Sequence, residues 1–200
     1  LWPGVETEKL GIFFEKDLGN ISYGLRYDQV ELDPTKAADD AGGMMFKTAN
    51  EVYTTDYDGT IVATKREYDN ISGFLRFTKD NDHGETYINL SVNERAPDTT
   101  ELFHAKWNAS SAMMRHVGNP NLSSERHMTI EVGYEGMLMG NHITGSVYYN
   151  DVDDYITTHR KDDSAMKARL YKNVDAELYG YELSVHRLFA GIDTTLNLNY

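Results

Sequence analysis

The sequence predicts an all-β fold: an antiparallel, up-and-down meander of about eight long strands. Three observations predict it. Apolar and polar residues alternate with period two over most of the chain, which sets them on opposite faces of a strand. The alternating segments are separated by turn signals, and the connections run short, long, short, long, short, medium, short. The segments are also longer than the ~5–6 residues usual in globular sheets. Transmembrane barrels join their strands in this way, with tight turns at one end and long loops at the other. A soluble sandwich seldom keeps every long loop at one end.

Taken in order, the first strand runs from about Glu8 to Asp17, with Leu10, Ile12 and Phe14 on one face. Leu18-Gly19-Asn20 turns the chain, and Ile21, Tyr23, Leu25 and Tyr27 then oppose Ser22, Gly24, Arg26 and Asp28. A long polar connection from Asp33 to about Gly59 contains Met44-Met45. In Lys65–Lys79, Ile71, Gly73, Leu75 and Phe77 face one way, and Ser72, Phe74, Arg76 and Thr78 the other. After the turn Asn81-Asp82-His83-Gly84, Thr86, Ile88, Leu90 and Val92 oppose Tyr87, Asn89, Ser91 and Asn93.

The stretch Asn93–Tyr134 holds the longest connection, roughly 30 residues, a length that is commonly functional or disordered. Arg95-Ala96-Pro97 closes the incoming strand, because proline cannot donate to a ladder and biases its predecessor toward extended structure. Gly118-Asn119-Pro120-Asn121 is a dense turn signal. Alternation resumes from His127: Ile130, Val132 and Tyr134 oppose Thr129, Glu131 and Gly133. Met139-Gly140-Asn141 turns the chain, and Ile143, Gly145, Val147 and Tyr149 oppose Thr144, Ser146, Tyr148 and Asn150. A charged connection around Arg160–Lys167 is expected next. Tyr179, Tyr181, Leu183 and Val185 then oppose Gly180, Glu182 and Ser184, before a turn at Ala190-Gly191 and a last strand through Leu196, Leu198 and Tyr200. Tyr27, Tyr134, Tyr149, Tyr179 and Tyr181 would form an interfacial girdle.

Composition narrows the function. The 200 residues carry 32 acids against 19 bases, a formal net charge of −13. That excess argues against nucleic acid as a partner, since such affinity rests on neutralising phosphates with Lys and Arg. No run approaches the ~20 apolar residues a membrane helix needs. A mean hydropathy of −0.57 does not exclude a membrane barrel, where only alternate residues meet lipid. There is no cysteine, so no disulfide and no thiolate metal site. The 7 histidines show no zinc-protease spacing and no catalytic triad, and nothing points to an enzyme. Asp151, Asp153 and Asp154 read as a strand end in solvent. Asp80-Asn81-Asp82-His83-Gly84 lacks the distal glutamate of a calcium loop and reads as a hairpin turn.

One cluster suggests a ligand. Met113-Met114 and His116 lie in the central connection with His104 upstream, and Met44-Met45 occupies the previous long one. Thioether and imidazole suit soft Cu(I), and imidazole suits Cu(II); methionines filling gaps beneath a loop are the structural alternative.

Four stretches in order carry a family resemblance: Glu94-Arg95-Ala96-Pro97 with Glu101-Leu102-Phe103; Val117-Gly118-Asn119-Pro120-Asn121-Leu122 with Glu125; Tyr149 to Ile156; and Tyr171-Lys172-Asn173-Val174-Asp175-Ala176-Glu177-Leu178-Tyr179-Gly180-Tyr181-Glu182. They resemble the barrel half of TonB-dependent outer-membrane receptors, and the paired methionines with His116 resemble its copper-receptor branch. Ser123-Ser124 departs from the lysine-proline pair that many members carry before the glutamate.

The resemblance implies that residues 1–200 are part of a large transmembrane barrel of about 22 strands, with the plug domain and remaining strands expected outside this chain. It implies a bacterial outer-membrane location, lipid against the wall, a TonB energy-coupling complex reached through the plug, and a metal or metal chelate as substrate. Copper would be cargo; no resident cofactor is expected. An iron–siderophore receptor, a passive porin and a soluble β-rich binding or adhesion module remain the alternatives.

Overall fold

The computed structural model describes residues 3–39, 47–105, 115–163, 166–189 and 192–200. The chain runs through β1 (Val5–Asp17), β2 (Ile21–Pro34), α1 (Ala49–Asp56), β3 (Arg66–Asn81), β4 (Gly84–Arg95), α2 (Thr99–Phe103), β5 (Arg115–Val117), β6 (Glu125–Leu138), β7 (Asn141–Asp163), β8 (Met166–Phe189) and β9 (Ile192–Asn199). Eight of the nine strands form one continuous antiparallel meander in sequence order, β1-β2-β3-β4-β6-β7-β8-β9. The ninth, β5, is three residues long and lies parallel to the upper part of β8. The sheet is unclosed, as expected of part of a barrel wall.

Its tight turns fall where the glycines predict. Met139 (φ 51°) and Gly140 (φ 75°) are both left-handed, the conformation that a two-residue hairpin loop requires. Gly19 (φ 83°) serves the first hairpin. Asp82 and His83 link the paired residues Asn81 and Gly84. The turn expected at Ala190-Gly191 lies outside the described residues, although Phe189 and Ile192 on either side are paired.

Ladder register fixes the faces. Phe77, Ile88, Val132, Val147 and Tyr181 lie in one hydrogen-bonded row, and Leu75, Leu90, Ile130, Tyr149 and Tyr179 in the next. Directly paired residues share a face, so these rows form one apolar side. It is open: Ile88, Leu90, Ile130, Val132 and Val147 are all exposed, where a sandwich would have buried them. No second sheet covers them among the described residues. Of the expected girdle, Tyr27, Tyr149, Tyr179 and Tyr181 are exposed on this side; Tyr134 is half-buried and donates its hydroxyl to the His83 carbonyl at 3.2 Å.

The opposite side is polar and connected. Asn89, Glu131 and Tyr148 share a row with Gly180, and Glu182 pairs with Ser146. Arg76 stands 3.9 Å from the Tyr87 ring centroid and bonds Glu85 at 3.2 Å, while the Tyr87 hydroxyl donates to Glu131 at 3.0 Å. Such a network suits a wetted lumen.

The upper part departs from the sequence expectation twice. The described residues of the charged segment around Arg160–Lys167 are strand, where a connection was expected: β7 and β8 stay paired to Asp163–Met166. β6 pairs no further up than Arg126–Asp153, so the β7–β8 hairpin projects about 30 Å beyond it, at ~3.3 Å per residue. A bulge between Val152 and Tyr155 marks the exit, with Asp154 left-handed at φ 57°. The Asp154 carbonyl accepts from Asn173 Nδ2 at 2.6 Å.

The second departure is a core. In the long central connection, polar and rich in turn signals, Leu102, Phe103, Ala105, Val117 and Leu122 are fully buried. They pack with Val52 and Tyr53 of α1, Val30 and Leu32 of β2, and Ala168 and Leu170 of β8. Hydrophobic packing is therefore concentrated at the long-loop end, while the sheet below presents bare faces.

Candidate functional site

Both short helices are written locally. Thr48 caps α1: its hydroxyl accepts from the Glu51 N–H at 3.2 Å, and the Glu51 carboxylate accepts from the Thr48 N–H at 2.8 Å. Asp98 and Glu101 repeat this reciprocal box on α2, at 2.8 Å each way. These boxes stop the polar connections from remaining irregular, because they satisfy the first amides of each helix.

The central connection is clamped at its root. Arg95 ends β4 and is the ladder partner of Glu125, which starts β6. Its Nε donates to Glu125 at 2.9 Å, and its two terminal nitrogens donate to Glu101 at 2.8 and 3.1 Å. One guanidinium thus ties α2 to both ends of the connection. Its own pKa is raised, first by the Glu101 hydrogen bonds and then by Glu125. Burial alone would raise the Glu125 carboxyl, but hydrogen bonds from Arg95 and the Ile156 N–H outweigh it and hold it below the ordinary carboxylate range.

A group whose folded pKa is depressed stabilises above its unfolded pKa and loses that contribution as pH falls through the folded value. Amide protection in 96–105 and 115–124, relative to the intrinsic exchange rate at each pH, is therefore expected to stay high at neutral pH and to fall below pH ~4, the unperturbed carboxylate range. Glu125→Gln should already exchange fast at pH 7 and lose the acid step; an unchanged acid step would contradict the clamp.

The remaining family residues also serve this architecture. Ala96 packs against the core and Pro97 is buried. A Cβ on Gly118 would sit 2.7–2.8 Å from the backbone of Leu102 and His104, so only glycine lets the two segments approach. The Asn119 N–H donates to the Glu101 carbonyl at 2.7 Å, and its Nδ2 to the Tyr171 carbonyl at 3.2 Å. Pro120 is buried beside it. Asn173 accepts from the Ser123 N–H at 3.0 Å, and Val174 pairs with Tyr155 where regular pairing resumes beyond the bulge.

The C-terminal turn of α1 joins the two long connections to each other and to the β7–β8 hairpin. Asp56 and Arg115 form a bidentate pair at 2.8 and 2.9 Å, and their side chains are only 5% and 2% exposed. Lys161 of β7 donates to the Asp56 carbonyl at 2.9 Å and to Asp58 at 3.0 Å. The Tyr57 hydroxyl lies 3.1 Å from both the Val117 and Tyr171 carbonyls, and the Tyr53 hydroxyl donates to Phe103 O at 2.7 Å. Burial pushes both phenols well above their ordinary pKa, so they remain neutral donors.

Of the expected ligand residues, His116 is exposed at the centre of β5, opposite Arg169, with Arg160 next in the same row. His104 is half-buried at the C-cap of α2. Met44, Met45, Met113 and Met114 lie outside the described residues. The first described residues after each pair, Lys47 and Arg115, both bond α1: Lys47 reaches Thr55 at 2.7 Å, and Arg115 is the partner of Asp56. Among the described residues no three His, Asp or Glu side chains converge as a metal site, and no helix is long and apolar enough to cross a membrane. Sequence reasoning missed Asp56, Arg115 and Lys161. The capping boxes were legible signals for α1 and α2; the ion pairs, between residues far apart in sequence, had none.

Residues 5–200 match the family model described as TonB dependent receptor-like, beta-barrel. Among solved structures, the copper transporter OprC superposes with a TM-score of 0.70 at 21% identity, covering 98% of this chain and 28% of that one. The FrpB iron transporter from Neisseria meningitidis gives 0.54 at 16%, with 97% and 25% covered. The siderophore receptor PirA from Pseudomonas aeruginosa gives 0.57 at 12%, with 98% and 42% covered. At these identities the likeness is one of fold, and the chain spans about a quarter to two-fifths of each of these proteins. No curated protein matches it.

Proposed function

This chain belongs to the TonB-dependent receptor β-barrel family, and on that premise we propose that it forms part of the wall and external loops of an outer-membrane importer. In this reading the loops capture a metal or metal chelate, and an energy-coupling complex acting through a plug domain elsewhere in the protein drives its release inward. The observation that carries it is the division of the molecule. An open sheet with one apolar and one polar face suits a wall between lipid and lumen. The packed body with its varied side chains sits wholly at the long-loop end.

Copper is the cargo we favour. Met44, Met45, Met113 and Met114, with His104 and His116, supply the thioether and imidazole donors that Cu(I) prefers, and each methionine pair is close in sequence to a residue bonded to α1, Lys47 or Arg115. The shared fold does not choose between metals, since copper and iron transporters both have it.

The second reading, an anionic metal chelate, is favoured by the row His116–Arg169–Arg160. Adjacent strands lie about 4.8 Å apart, so the row spans about 10 Å, and its imidazole and guanidinium groups are donor types that suit the oxygen atoms of a chelate. The full-length receptor separates the two. Replacing Met113 and Met114 together by alanine should weaken Cu(I) binding by at least about tenfold, or ~1.4 kcal/mol, with the strand ladder unchanged. Unaltered copper affinity together with tight binding of a ferric chelate would remove copper as the cargo.

A further inference from the structure

β5 has three residues, and so short a ladder specifies its own register weakly. A slip of one residue would turn every side chain to the opposite face. The side chains flanking His116 oppose that slip. Arg115 and Val117 are buried at 2% and 0% exposure, while His116 between them is exposed. Arg115 is the stronger constraint. Both terminal nitrogens donate to the two oxygens of Asp56, and such a planar, two-bond pairing fixes the guanidinium far more closely than a single contact would. Asp56 is itself immobilised, because α1 is capped at Thr48, pinned by Tyr53 and Tyr57, and held through its last carbonyl by Lys161. After a slip, a buried carboxylate would face something other than its guanidinium.

We propose that Asp56 and Arg115 are a positioning pair. They lock the register of β5 on β8 and thereby present His116 outward, in line with Arg169 and Arg160. A contact between the first and second long connections thus sets what the β7–β8 hairpin displays. That this display serves capture rests on the receptor reading above; the locked register does not.

The chain has no cysteine, so an engineered pair reports register in the intact receptor. His116→Cys with Arg169→Cys joins directly paired positions, whose separation across a ladder falls within disulfide range. The rate of oxidative cross-linking is measured in four backgrounds: unchanged, Asp56→Leu, Arg115→Met, and both together. Each single change removes the bidentate partner of one buried charge, whereas the double change removes the fork but substitutes an apolar pair that such sites tolerate, which separates lost register from lost stability. The expected result is a rate lowered about tenfold or more in each single and in the double alike, with the heat-modifiable migration of the barrel unchanged throughout. Single variants that cross-link at the parent rate, or a double restored to it, would overturn the proposal. Cu(I) and ferric-chelate titrations with His116 and Arg169 intact then test the capture role separately. If that role is right, affinity follows the cross-linking pattern across the four backgrounds. If the receptor reading is wrong, the cross-linking pattern stands and affinity does not follow it.

Discussion

Phe103→Ala is expected to open the packed body at the long-loop end by about 3–5 kcal/mol, the range for truncating a buried phenylalanine, while the strand ladder beneath keeps its protection. Phe103 ends α2 at 1% exposure, within the cluster that includes Val52, Tyr53, Val117 and Leu170. Its side chain therefore links the second long connection to the first and to the β7–β8 hairpin. The hydrogen bond from Tyr53 to its carbonyl survives the change, so the loss is one of packing. β4 and β6 meet along twelve paired residues that do not involve this core, and proteins open by such separable units. Amide exchange of the intact receptor is the measurement. Exchange in 49–57 and 98–105 should accelerate, while 86–93 and 127–134 should not change. Equal acceleration of all four segments would show that loop body and wall are one cooperative unit, contrary to the division described here.

That division also explains which parts of the fold could be read from sequence. In the wall, two different surroundings press on the two faces of each strand, and the chain answers with strict alternation, as in Ile88-Asn89-Leu90-Ser91-Val92. The eight long strands and their tight turns were legible for that reason. Above Tyr149 the constraint lapses. Arg160 and Arg169 are exposed on one side of this strand pair, Lys161 on the other is held by Asp56 and Asp58, and with charge on both sides the segment looks like a loop. The core at the loop end was hidden differently. Leu102-Phe103 and Leu122 are isolated apolar residues in polar sequence, and their partners lie in other connections, such as Tyr53, 50 residues from Phe103.

The site was legible only in part. The family words marked the right segment, but Arg95, Glu101 and Glu125 form a clamp that fixes the connection, and Gly118, Asn119 and Asn173 seat it on the hairpin. Their side chains are committed to one another. Arg115 stood unnoticed between residues chosen for their metal chemistry, because its partner Asp56 is 59 residues away, in the other long polar connection. His116 was chosen as a soft ligand, and the structure adds that it stands beside two arginines. The methionine positions remain proposals founded on donor chemistry.

The wall makes the other large prediction, a contrast between neighbours on one strand. Val132 is exposed on the apolar side between Ile88 and Val147. Glu131, one residue earlier, faces the other way and accepts from the Tyr87 hydroxyl. With lipid against the apolar side, Val132→Arg near mid-bilayer should cost about 2–4 kcal/mol, because the guanidinium has no water there. Glu131→Arg exchanges one polar group for another on a wetted face. Its main loss is a single hydrogen bond, about 1 kcal/mol, and the new charge can be solvated. Unfolding of the full-length receptor from lipid vesicles by denaturant measures both differences under the same conditions. A larger loss at Glu131, or equal losses at the two positions, would mean that the faces are assigned the wrong way round or that neither meets lipid.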